Sequence, residues 1–231
     1  MKGIAARWIG GISIVLLVYG ISGAQERPAP KTTDLSGIWR SVSNRYLTDL
    51  SAGRAQVVFQ PWARALYDER RAGNTKGRPS DSCLPRGVPA MMLARDEPWK
   101  VVQTPDAVTI LFHESLHYRQ IFTDGRSFPE DAPPTWLGYS VGRWDGDTLV
   151  AETIGLTEET WLDEGGHPHS DALRVTERFR RRTTGTMDVN FTIDDAKAYS
   201  RRWTTTVRFE LVQNADLGEH VCPVRPVDYR K

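Results

Sequence analysis

From Lys100 onward, apolar residues recur at every second position, and this is the feature that most restricts the fold. Met187, Val189, Phe191 and Ile193 fall on one side, against Asp188, Asn190, Thr192 and Asp194 on the other. Trp203, Val207, Phe209 and Leu211 oppose Arg202, Thr204, Thr206, Arg208 and Glu210 in the same way. Successive side chains of an extended chain point to opposite faces, so the pattern describes strands with one buried and one wet face. It predicts strands near 100–104, 107–113, 117–122, 138–144, 147–154, 172–181, 186–193 and 202–212, with an earlier one over Leu35–Arg40. Asp-Gly pairs at 124–125 and 145–146 mark turns. Pro61 to Arg70 reads as one helix, with Pro61 at its first position and Gly73 beyond its end. Residues 73–98 read as a long surface excursion.

Consecutive antiparallel strands mostly pair with their neighbours. A long row of them either exposes two edges or closes. The expected fold class is therefore mainly all-β: an antiparallel up-and-down barrel with one N-terminal helix. In such a meander alternate links share an end. The short links at 114–116, 145–146 and 182–185 would lie at a closed end, and the long links at 123–137, 155–171 and 194–201 at a loop-crowned mouth.

The N-terminus reads as an export signal. Lys2 and Arg7 precede an apolar run, Trp8 to Ile21, and Ser22-Gly23-Ala24 offers small residues for cleavage before Gln25. The run is short for a membrane span of about 20 residues. The expected organisation is a signal peptide over 1–24, a flexible lead-in over 25–33 and a single barrel domain over 34–231. The mature protein would be periplasmic or secreted, without stable membrane insertion. The formal charge is +1, and loss of Lys2 and Arg7 takes away two positive charges, leaving about −1. That balance argues against nucleic acid as a partner. Export permits a disulfide, and Cys83 and Cys222, the chain's two cysteines, are expected to pair. Closing so long a loop contributes on the order of 4–5 kcal/mol in the chain-entropy account. Two buried free thiols are the alternative.

Candidate chemistry concentrates between Trp136 and Arg182. A long loop ends in His167-Pro168-His169-Ser170-Asp171. An imidazole there suits proton transfer, with Asp171 or Asp163 orienting it. A metal site needs a third ligand such as Asp171, Asp163 or Glu164. A histidine that only holds the loop is the plainer alternative. Glu177 shares its face with Leu173, Val175 and Phe179, which is costly for a carboxylate unless it is paired or protonated. Arg119 and Arg143 are the candidate partners, and the pair is either a register-fixing ion pair or an acid inside the barrel. Trp136 and Trp161 are candidate stacking platforms in the mouth loops, with Arg126 nearby in charge. His113, Glu114 and His117 form a further conceivable ligand set, whereas His220 reads as structural. Asp145 and Asp147 read as turn-formers. No G-x-S-x-G elbow, phosphate-cradling loop, dinucleotide fingerprint or C-x-x-C is present, so no redox or nucleotide cofactor is expected.

Gly37-Ile38-Trp39 resembles the G-x-W signature of the lipocalin and calycin superfamily. QTPDAVTILF, YRQIFTDGR, GYSVGRWDGDTLVAET and HPHSDALRVTERFRR resemble a family of secreted bacterial proteins. The resemblance implies export and a lipocalin-like barrel, and carries no activity, substrate or catalytic residue with it. The functional expectation is a small-molecule-handling barrel. It would act by cofactor-independent acid–base chemistry (isomerase, lyase, cyclase or hydrolase), with a non-catalytic carrier or a histidine-based metal binder as alternatives.

Overall fold

The computed structural model describes residues 33–42, 49–53, 56–94, 97–114, 117–131 and 133–220. The expected signal peptide, the lead-in up to residue 32 and Cys222 lie outside the described residues. Cys83 is not a free thiol. No helix among the described residues is long and apolar enough to cross a membrane.

Among the described residues, nine strands close into a barrel in sequence order. They are β1 (Gly37–Ser41), β2 (Trp99–Gln103), β3 (Ala107–Phe112), β4 (Tyr118–Phe122), β5 (Tyr139–Asp145), β6 (Thr148–Ile154), β7 (Arg174–Arg181), β8 (Thr186–Asp194) and β9 (Trp203–Leu211). β1 closes the ring by pairing with β2 and β9. The expected alternation sets the inner face: Val175, Glu177 and Phe179 of β7 stand opposite Ile193, Phe191 and Val189 of β8, all buried. A barrel of about eight strands has an interior just wide enough for side chains or one small ligand. Here the inner residues form one contiguous core. Trp39 and Trp99 are fully buried because their indole N–H groups donate to the Leu35 and Met92 carbonyls, at 2.9 and 3.2 Å.

One pair departs from the meander: β4 and β5 run parallel and join through two residue pairs, Ile121–Ser140 and Phe122–Val141. The segment 123–138 must therefore travel from one end of the barrel to the other, which shifts the parity of every earlier link. The links at 146–147 and 182–185 share one end, as expected. The link at 113–117 instead lies at the opposite end, with 155–173, 195–202 and the long excursion between β1 and β2. Gly138, just before β5, has φ +64°, where an added Cβ would meet the Ile154 carbonyl oxygen at 2.6 Å, so the strand's entry depends on a residue without a side chain.

The excursion is not all surface. Val88, Ala90, Met91, Met92 and Leu93, around a short 3₁₀ turn at Ala90–Met92, are at most 2% exposed and join the barrel core. The helix α1 (Pro61–Ala72) buries only Ala63. It is held at the loop-rich end by polar ties: Trp62 Nε1 donates to the Lys197 carbonyl at 2.7 Å, and Gln60 N to that of Ala198 at 2.8 Å.

Candidate acid–base site

The loop from β6 to β7 turns back on itself at Asp163–His167. Leu162 N donates to the His167 carbonyl at 3.0 Å, and Gly166 N to the Asp163 carbonyl at 3.3 Å. Gly166 makes this possible with φ +95°, where a Cβ would also meet that of Arg70 at 3.0 Å. The turn brings the two side chains together. Asp163 Oδ2 lies 2.7 Å from His167 Nδ1, and Asp163 Oδ1 accepts the His167 backbone N–H at 3.1 Å. Leu50 N, in a short turn at Leu50–Gly53, donates to Asp163 Oδ2 at 2.7 Å. Both side chains are fully buried.

An ionised carboxylate only accepts hydrogen bonds, so the proton of the neutral imidazole stands on Nδ1 and the lone pair on Nε2. His167 Nε2 is buried and has no hydrogen-bond partner; the same holds for Trp203 Nε1. Aromatic rings surround the imidazole, with centroids at 5.5 Å for Phe59, 4.6 Å for Tyr67 and 5.6 Å for Trp203. Tyr67 Oη donates to Asp49 Oδ2 at 3.4 Å, and burial followed by the Asp49 charge pushes its phenol pKa up, so it stays a donor. Tyr199 is shifted the same way, mainly by burial, and donates to the Pro168 carbonyl at 2.6 Å. A held Nδ1–H, an unpartnered lone pair and an apolar wall are the parts of a general base.

His169 is placed differently. Nδ1 lies 3.0 Å from the Ser170 carbonyl and Nε2 2.7 Å from Thr160 Oγ1, so both ring nitrogens are engaged and the H-x-H pair does not converge on one ion. Burial, the largest effect, depresses its pKa below 6.5. A depressed histidine contributes stability that is fully present above the unfolded value of about 6.5 and is lost as pH falls toward the folded pKa. The urea midpoint should therefore fall between about pH 7.5 and pH 5. The fall should be shallower in His169→Gln; equal slopes would remove His169 as its source.

The remaining candidates scatter. Asp171 is exposed and pairs with Lys197 at 2.5 Å, so Asp163 and not Asp171 orients an imidazole. Glu177 pairs with Arg119 inside the barrel, while Arg143 lies outside, 3.7 Å from Glu152. Trp161 is buried beneath the Arg70 guanidinium, 4.3 Å from its ring centre, and is not a lid. Arg126 is exposed against Asp124 and the Phe122 ring. Glu114 accepts a bidentate pair from Arg86, at 2.5 and 2.9 Å, which takes it out of a set with His113 and His117. Trp136 lines a groove of about 400 Å³ between β4 and β5, with Tyr118, Phe122 and Tyr139. Phe59 and Tyr67 were not anticipated, although the approach of α1 over the crown places them against His167. A scan of protein-family models and a search of curated proteins find no match to this chain.

Proposed function

We propose that the chain is an exported β-barrel that binds a small aromatic or apolar molecule carrying a hydroxyl group, and moves a proton on it. The reading rests on one observation: His167 is buried, its Nδ1–H is held by Asp163, and its Nε2 faces no partner. A hydroxyl group can donate to that nitrogen and accept from Trp203 Nε1–H, which is also unpartnered. His167 Nε2 takes a proton from the bound molecule and returns it at another atom in an isomerisation, or to the departing group in an elimination. Asp163 steadies the imidazolium formed between the two steps and keeps the ring oriented. General acid–base help of this kind supplies about 10²–10⁴-fold. In the exported protein Cys83 and Cys222 form a disulfide.

The test is a panel of phenols, aryl alcohols and apolar secondary alcohols incubated with the mature protein in heavy water. Mass spectrometry follows conversion and deuterium uptake. One class should react, and His167→Gln should slow it about 100-fold or more without unfolding the protein. Silence across the panel, or equal rates in the variant, overturns the proposal. The groove beside Trp136 favours a second reading, carriage of a ring-bearing ligand: binding without conversion, abolished by Trp136→Ala, would establish it.

A further inference from the structure

Among the described residues, two groups of side chains bring three metal-ligating atoms within 4.8 Å of one another: Asp49, Asp163 and His167, and Glu97, His113 and His220. The first group is already satisfied. Asp163 spends its oxygens on the Leu50 and His167 backbone N–H groups and on His167 Nδ1–H, and an ion would have to displace them. The second group is not. His113 Nδ1 lies 2.9 Å from Glu97 Oε2, but His220 Nδ1 is buried and has no hydrogen-bond partner. The two imidazoles lie nearly parallel, 12° apart, with centroids separated by 5.2 Å.

We infer that Glu97, His113 and His220 form a binding site for a divalent first-row transition ion, with zinc the best match. The donor set, two imidazole nitrogens and one carboxylate oxygen, is one that zinc takes with a fourth position open to water. The borderline nitrogen donors disfavour calcium and magnesium, which prefer oxygen cages. All three residues are partly exposed, so solvent can reach that fourth position. Bonds of about 2.0–2.1 Å place tetrahedral ligands roughly 3.3 Å apart, so the side chains close by an ångström or so. The three donors come from separate segments: the approach to β2, the residue after β3, and the tail beyond β9. An ion there fastens the tail to the barrel at its loop-rich end and stabilises the folded state by mass action. The assignment is independent of the acid–base reading.

The test is calorimetric titration of the mature protein, freed of metal by chelator, with zinc chloride at neutral pH. About one equivalent should bind, Tm should rise with zinc, and His113→Ala and His220→Ala should each weaken binding at least about tenfold. Should His113→Ala fail to fold, His220→Ala, in the tail outside the strands, still decides the matter. The visible spectrum of the cobalt-loaded protein is a second measurement: intense tetrahedral bands lost in His220→Ala support the site. Absence of zinc binding by the unaltered protein, or binding unchanged by the His220 substitution, overturns it.

Discussion

Glu177→Ala is expected to lower stability by about 3–5 kcal/mol. Arg119 is 3% exposed and Glu177 not at all. The guanidinium donates to both carboxylate oxygens, Nη1 to Oε1 at 3.1 Å and Nη2 to Oε2. It also donates to Ser140 Oγ at 3.0 Å and Thr153 Oγ1 at 2.6 Å, so four successive strands meet at one side chain. Removing the carboxylate strands a cation in a dry interior, which costs far more than the net worth of the pair. Arg119→Met together with Glu177→Leu removes both charges and should recover most of the loss, because well-packed apolar substitutes for such a pair are often neutral. In chemical denaturation the single variant should shift the midpoint strongly and the double variant little, with a fall in Tm on the order of 10 °C for the single. A single variant within about 1 kcal/mol of the parent would show that the charge reaches water. The pair has a further use. β4 and β5 share only two residue pairs, and the Arg119–Ser140 bond ties them from inside where the ladder is short.

Asp163→Ala should cost about 3–5 kcal/mol, for a related reason. Its carboxylate receives the Leu50 N–H, the His167 N–H and His167 Nδ1–H, and alanine would leave all three donors without a partner in a buried setting. Asp163→Asn keeps part of the structure and changes the chemistry. An amide oxygen in the Oδ1 place still accepts the His167 backbone N–H, whereas an NH₂ in the Oδ2 place, facing Nδ1, forces the imidazole proton over to Nε2 and leaves the Leu50 N–H without its acceptor. Nitrogen-15 shifts of the His167 ring report this directly: Nδ1–H in the parent, Nε2–H in the Asn variant, and any turnover lost with the lone pair. A parent ring protonated at Nε2 would sink the general-base assignment.

Much of this architecture was legible because alternation is local. Met187, Val189, Phe191 and Ile193 declare an inner face without reference to any other strand, and a carboxylate among apolar residues, Glu177, declares a need for a partner. The loop carrying His167 was legible from its density of imidazoles and carboxylates. Other features depended on neighbours far away in the chain. The choice of Asp163 over Asp171 depends on the turn at Asp163–His167 and on Leu50, 113 positions distant, whose N–H helps fix the carboxylate. The burial of Trp161 depends on Arg70. The apolar segment Val88–Leu93 looked like part of a loop because its length and prolines hid where it inserts.

The amino-acid sequence by itself determined the number and facing of the described strands, the helix after Pro61 and the need to bury Glu177 with a cation, since each follows from side-chain direction and the cost of desolvating charge within one segment. The tertiary structure alone decided which ends the loops occupy, which carboxylate holds His167, and that residues 97, 113 and 220 meet. Those outcomes depend on the direction of β5 beside β4 and on closure of the ring, and strand direction across a long crossover is set by packing of the whole sheet and leaves no period in the chain.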